Sequence, residues 1–233
     1  MIYLFNDISI IYILMHLISI LIFTFCLLLC LFLHLPVSLL FYSECNHTKL
    51  DVGFLVDSSA SINMAHRLNF QRIKDFIKGF VKTVKVGQND TRIGVATYSS
   101  RNSLKVRFNF TTFFATDSLV DAIQNIPYTS GRTYTGDAIS RIWTKLFSVA
   151  RDGVPKILII LTDGESDDNV TIPSRRLRDE DGVHIISVGV GNILYDELAD
   201  MASDPDNENI FNVTFFSLFS LVGSLLESVC KGE

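Results

Sequence analysis

The sequence predicts an α/β fold: a doubly wound, mostly parallel central sheet with one antiparallel edge strand and helices on both faces. Two observations carry that expectation. Short, almost wholly apolar runs alternate with longer stretches whose apolar residues recur at helical spacing. Strands covered by helices on both sides read as such continuous apolar runs. One further run alternates apolar and polar residues, the pattern of a strand with one wet face at a sheet edge.

The elements follow in chain order. Residues 50–56 (LDVGFLV) read as a buried strand. Phe70, Ile73, Ile77, Phe80, Val81 and Val84 then recur at helical steps, with Lys74, Asp75, Lys78, Lys82 and Lys85 on the other faces, which predicts an amphipathic helix. Residues 92–98 (RIGVATY) form a second strand, and 104–110 (LKVRFNF) is the alternating edge run. Helices are predicted over 117–126 and 136–149. Buried strands follow at 156–161 (KILIIL) and 183–188 (VHIISV). A short helix at 194–202 and a strand near 209–214 precede a last helix at 217–229, striped by Leu218, Leu221, Val222, Leu225, Leu226 and Val229. The two most apolar strands, 50–56 and 156–161, are the predicted centre. Open sheets of this kind bind ligands beyond the carboxyl ends of the strands where the winding reverses.

Residues 1–43 stand apart, with one charged side chain, Asp7, and no Lys or Arg. The apolar stretch 8–41 is long enough to span a bilayer. It is longer than the apolar part of an ordinary signal peptide and lacks the basic start. Two readings stand: a signal peptide cleaved near Ser43, or a retained signal anchor. Both place residues 44–233 in an extracellular, oxidising space, and the membrane is met only through an uncleaved leader. That remaining length suits one domain with a sizeable core. Its 20 basic and 24 acidic side chains argue against nucleic acid, whose phosphates need a basic face.

Cys26 and Cys30 fall in the leader, whereas Cys45 and Cys230 bracket the domain as a disulfide joining its termini would. Two free thiols are the alternative. Five sequons begin at Asn46, Asn89, Asn109, Asn169 and Asn212. A sequon marks a glycan site only where it is exposed in a secreted chain. Asn212 lies in a strand-like run, which argues against its use.

Three loops carry the chemistry. The first central strand ends in Asp57-Ser58-Ser59-Ala60-Ser61, and the second in Thr162-Asp163-Gly164-Glu165-Ser166. Between them lies Ser130-Gly131-Arg132-Thr133-Tyr134-Thr135-Gly136. The set holds two central carboxylates and several hydroxyls, without His or Cys. Oxygen-only donors favour a hard divalent cation, Mg²⁺ first, with Mn²⁺ or Ca²⁺ as substitutes. Taken alone, Asp57 and the two serines also fit the plainer role of helix caps.

An enzyme fits poorly. The chain has no Gly-x-Ser-x-Gly elbow and no phosphate-binding Gly-x-x-x-x-Gly-Lys loop. Gly189-Val190-Gly191 meets Leu194 where a dinucleotide fingerprint needs a third glycine. Beyond the leader the histidines are His47, His66 and His184, the last inside an apolar run and read as a core residue. A water-activating metal site needs a general base, and none presents itself.

As an ordered set, Asp-x-Ser-x-Ser after a buried strand, Gly-Arg-Thr-x-Thr-Gly, and Leu-Thr-Asp-Gly-Glu after a second strand resemble the von Willebrand factor A domain, over roughly residues 50–229. The flanking Cys45 and Cys230 resemble those of A domains in matrilins and other secreted matrix proteins, and integrin inserted domains share the metal motif. The resemblance implies a metal-ion-dependent adhesion site. Ser59 and Ser61 match direct hydroxyl ligands, Asp57 and Asp163 match carboxylates acting through water, and Thr133 matches a ligand that joins when a partner is bound. Thr135 is expected to cap the helix from Gly136, and Glu165 to lie on the rim.

The implied function is an extracellular adhesion module whose Mg²⁺ accepts an acidic group from a matrix or cell-surface protein, collagen foremost. The alternative is a structural matrix subunit that self-associates through metal-independent surfaces. In integrin-type relatives the last helix slides along its axis. A Cys45–Cys230 bond would restrain such sliding and hold one affinity state.

Overall fold

A computed structural model describes residues 49–64, 66–191 and 193–231. The leader, Cys45 and Asn46 lie outside the described residues, so the readings made for them stay expectations. Residue Cys230 falls within the last helix.

The chain runs β1 (Asp51–Asp57), α1 (Ala60–Met64), α2 (Asn69–Thr83), β2 (Arg92–Tyr98), β3 (Lys105–Phe108), α3 (Thr116–Gln124), α4 (Thr135–Lys145), β4 (Lys156–Thr162), α5 (Thr171–Asp179), β5 (Val183–Val190), α6 (Tyr195–Met201), α7 (Asp206–Asn209), β6 (Ile210–Val213) and α8 (Val222–Lys231). Single 3₁₀ turns at Phe147–Val149 and Leu218–Leu221 follow α4 and lead into α8. The six strands lie in the order β3-β2-β1-β4-β5-β6. All neighbours are parallel except β2 and β3, so β3 is the antiparallel edge. From β1 the chain winds outward to β2 and β3, then returns to lay β4 on the other side of β1. The winding reverses between β1 and β4, the pair singled out as the centre of the sheet.

Alternation along the strands divides the core. Val52, Phe54 and Val56 of β1 and Ile157, Ile159 and Leu161 of β4 point to one face, beneath α2, α3 and α8. Leu55, Leu158 and Ile160 point to the other, with Ile139 and Ile142 of α4, Leu177 of α5 and Leu198 of α6. Full burial of such a side chain stabilises by roughly 1.5–3 kcal/mol, so both helical layers are firmly held. Gly94 lets α4 and the turn after it approach the sheet: a Cβ there would lie 2.8 Å from Leu146. Below the sheet, Arg151 grips the fully buried Asp51 through Nε at 3.0 Å and Nη2 at 2.8 Å.

Several boundaries differ from the sequence expectation, each for a physical reason. The alternating run is a strand only over Lys105–Phe108, because its pairing with β2 shifts register between Val95 and Ala96. The helix foreseen to residue 149 ends at Lys145 and continues as a 3₁₀ turn, and the last helix likewise begins as one. Helix α5 has no counterpart in the sequence expectation, because it buries Ser174 and Leu177 only, too little for an apolar stripe. His184 is half-buried, with Nε2 2.7 Å from the Asn209 side-chain oxygen, as fits a structural histidine.

Candidate metal centre

β1 and β4 deliver Asp57 and Asp163 to the carboxyl-terminal edge of the sheet, and the loop before α4 brings Thr133 beside them. Backbone hydrogen bonds tie the three loops together. Ala60 N–H donates to the Gly131 carbonyl at 2.9 Å, Ser58 N–H to Tyr98 at 2.8 Å, and Asp167 N–H to Thr133 at 2.7 Å. Ser130 and Gly131 both turn with positive φ, 61° and 128°. A Cβ on Gly131 would meet the Ser100 hydroxyl at 2.7 Å, so only glycine lets this loop pass so close. The Ser58 hydroxyl accepts from Thr129 N–H at 2.9 Å, and Tyr128 OH donates to the Ser59 carbonyl at 2.9 Å.

The five predicted ligands lie within this frame. Ser59 and Ser61 hydroxyls are 2.8 Å apart, and Ser61 donates to Asp163 Oδ1 at 2.8 Å. Asp57 is fully buried and accepts from Ser59 N–H at 2.7 Å and from the Thr162 hydroxyl at 3.0 Å. Those partners are neutral. Burial therefore pushes the Asp57 carboxyl up to about 7, with its hydrogen bonds to Ser59 pulling the other way and nearby Asp163 adding to the rise. Burial also raises Asp163, against the hydrogen bond from Ser61. A Cβ on Gly164 would lie 3.8 Å from Ser61 Oγ and 4.0 Å from Thr133 Oγ1, so these two hydroxyls flank one small space.

This donor set fits a hard divalent cation. Two carboxylates, each disfavoured as an anion by burial, gain from a cation at hand, and three hydroxyls add uncharged oxygens. Among the described residues no group of three or more His, Cys, Asp or Glu is placed to hold a metal. Any cation held here would need hydroxyl oxygens beside the two carboxylates.

One residue's role differs from the sequence expectation, and several supporting residues carry no local sequence signal. Thr135 does not cap the helix; it is the first residue of α4, and its hydroxyl shares a 2.9 Å hydrogen bond with Tyr98 OH. Capping comes from across the site. Asp168 accepts from Gly136 N–H at 2.8 Å and Asp137 N–H at 2.9 Å, and the Ser166 hydroxyl accepts from Thr135 N–H at 3.1 Å. A carboxylate there satisfies free amides and faces the positive end of the helix. Gly136 permits the contact, since a Cβ would fall 2.1 Å from the Asn169 carbonyl oxygen. Arg132 reaches back to Asp167 at 2.6 Å and holds that carboxyl below its ordinary range. Glu197 of α6 takes Ser166 N–H at 3.0 Å, while Glu165 is exposed at the rim. These partners lie 31–35 positions apart in sequence, beyond any local pattern.

Of the sequons, Asn89, Asn169 and Asn212 are exposed and Asn109 is half-buried. Asn212 lies on edge strand β6, with its amide nitrogen donating to the Ile193 carbonyl at 3.4 Å.

Comparison with known proteins agrees with this geometry. The von Willebrand factor type A domain model matches residues 51–224. The collagen alpha-1(XII) chain of Notophthalmus viridescens is 38% identical over 187 residues, covering 78% of this chain and 20% of its own length. Matrilin-1 of Gallus gallus is 34% identical over 190 residues, covering 80% of this chain and 37% of its own. The chain thus spans well under half the length of these relatives. Among solved structures, proximal thread matrix protein 1 from the mussel byssus, with a zinc-occupied MIDAS motif, superposes with a TM-score of 0.73 at 28% identity, over 80% of this chain and 47% of that one. The chain belongs to the von Willebrand factor type A domain family, and its relatives are extracellular matrix proteins.

Proposed function

We propose that the chain is a non-enzymatic extracellular adhesion module that binds a matrix or cell-surface protein through Mg²⁺ held by Asp57, Ser59, Ser61, Thr133 and Asp163. The observation that carries this reading is the run of contacts from Ser59 to Ser61 to Asp163 beside a buried, neutrally partnered Asp57. Such a set leaves the ion underligated by protein and electrophilic, so a carboxylate of the partner completes its shell. Collagen or another matrix protein is the favoured class, supported by relatives that are themselves collagen and matrilin chains. The zinc-occupied motif of the mussel protein supports a divalent site; Mg²⁺ is preferred here for the oxygen-only donors, with Mn²⁺ or Ca²⁺ able to substitute.

The test is capture of matrix proteins by the chain with Mg²⁺, with EDTA, and with Mg²⁺ restored. Binding should vanish and return, and Asp163→Ala should abolish it while leaving the fold intact. Capture that survives both EDTA and Asp163→Ala sinks the metal reading. It would favour the second one, a self-associating structural subunit. The observation behind that alternative is the aromatic pair Phe216 and Phe219, 80% and 63% exposed at the approach to α8.

A further inference from the structure

A groove of about 490 Å³ runs between α4 and α5, with Trp143 and Ser140 on one wall and Ile172, Pro173 and Arg176 on the other. Its volume is that of a small-molecule site, roughly 300–1,000 Å³. The lining is uneven in polarity. Ile172 is 74% exposed, and Trp143, stacked on Phe147 at 6.3 Å, also lines the groove. Ser140 and Arg176 supply hydrogen-bonding groups beside them. Asp137, Asp168 and Asp181 also line it, so apolar surface and hydrogen-bonding groups stand side by side.

Asn169 lines the same groove and opens the sequon Asn169-Val170-Thr171. Its side-chain oxygen accepts from Ile172 N–H at 3.0 Å, across the first turn of α5. That bond uses the oxygen, whereas an N-glycan is joined to the other end of the amide, Nδ2. Asn212 differs, because its Nδ2 donates to the protein. Pyranose rings present a C–H face that packs on indole and aliphatic surface, and hydroxyls that bond to Ser and Arg. The groove offers both kinds of surface at the root of the sequon.

We infer that Asn169 carries an N-linked glycan whose core N-acetylglucosamine units lie in the α4–α5 groove against Trp143 and Ile172. The position also matters for the metal edge. Asn169 follows Asp168, which caps α4, and Asp167 N–H holds the Thr133 carbonyl. A glycan rooted there stands at the rim of the candidate metal centre and restricts the approach of bulky partners from the α4 side.

The inference rests on passage of the chain through the secretory route and not on metal binding, so its test uses no metal. The full chain is produced in a glycosylating animal cell, as wild type, Thr171→Ser, which keeps the sequon, and Thr171→Val, which destroys it while leaving the Asn169 cap. Glycopeptide mass spectrometry should find sugar on Asn169 in the first two and none in the third. Trp143 is the sole tryptophan, so its fluorescence reports the groove directly. Thr171→Val, and wild type after enzymatic removal of glycans, should show red-shifted emission and stronger acrylamide quenching than glycosylated wild type. An empty Asn169 in a chain glycosylated at any other sequon overturns this inference alone. Sugar on no sequon overturns the secretory reading with it. A glycosylated Asn169 with quenching unchanged on sugar removal overturns the placement in the groove.

Discussion

Asp57→Asn should make the metal-free protein more stable at neutral and alkaline pH while abolishing its response to Mg²⁺. The wild-type carboxyl is fully buried among neutral donors, and burial moves it from its usual 3.8 to about 7. At about 1.36 kcal/mol per pH unit, the charged form costs the metal-free fold on the order of 4 kcal/mol, a ceiling that water entry would lower. The sign follows from the raised value. Below 3.8 the group is neutral in both folded and unfolded chains and the cost is absent. Stability is lost as pH rises from 3.8 to about 7, and the loss is constant above. About 3 kcal/mol of it should fall between about pH 5 and about pH 8. Asparagine carries no charge and can keep both contacts: its oxygen accepts from Ser59 N–H, and its amide donates to Thr162 Oγ1, which still donates to the Gly164 carbonyl at 3.1 Å. Urea unfolding in EDTA at the two pH values gives the comparison. Asp57→Asn should lack the wild-type loss between them, and Mg²⁺ should raise the midpoint of wild type only. A variant less stable than wild type at the higher pH in EDTA would mean that the buried Asp57 carboxylate does not destabilise the metal-free fold.

Other outcomes follow from the same geometry. Asp168→Ala removes the cap from Gly136 and Asp137 and should cost about 1 kcal/mol in urea unfolding, with weaker Mg²⁺ affinity because Thr133 sits just ahead of that helix. Arg151→Ala strands the buried Asp51. It should cost about 3–5 kcal/mol, yet leave the Mg²⁺-dependent rise in midpoint of the remaining folded protein intact, as the pair lies at the opposite end of β1. Oxidised wild type should bind partner with an affinity different from Cys45→Ser/Cys230→Ser; equal affinities would count against a terminal disulfide that fixes one state of the last helix.

Much of the fold was legible because its strongest signals are local. The strands at 50–56 and 156–161 are buried on both faces, and that burial writes itself as uninterrupted apolar sequence. Phe70 to Val84 repeats at helical steps because one side of α2 alone meets the sheet. Thr171–Asp179 gave no such signal: with Ser174 and Leu177 its buried residues, its pattern is that of a polar loop. The five candidate ligands were legible as an ordered set of three loop motifs. Their support was not. Asp168 and Ser166 cap a helix 31 or 32 residues earlier in the chain, and only folding reveals that a carboxylate after β4 does the work expected of Thr135. Burial of Asp57 is likewise a property of the closed sheet edge, invisible in an Asp-Ser-Ser sequence.

The most direct test of the metal centre is the anomalous scattering of Mn²⁺ in crystals of the protein. One strong peak is expected within coordination distance, about 2.0–2.3 Å, of the Ser59 and Ser61 hydroxyls, facing Asp57, Thr133 and Asp163. Featureless solvent among the three loops, with manganese bound elsewhere or nowhere, would contradict it.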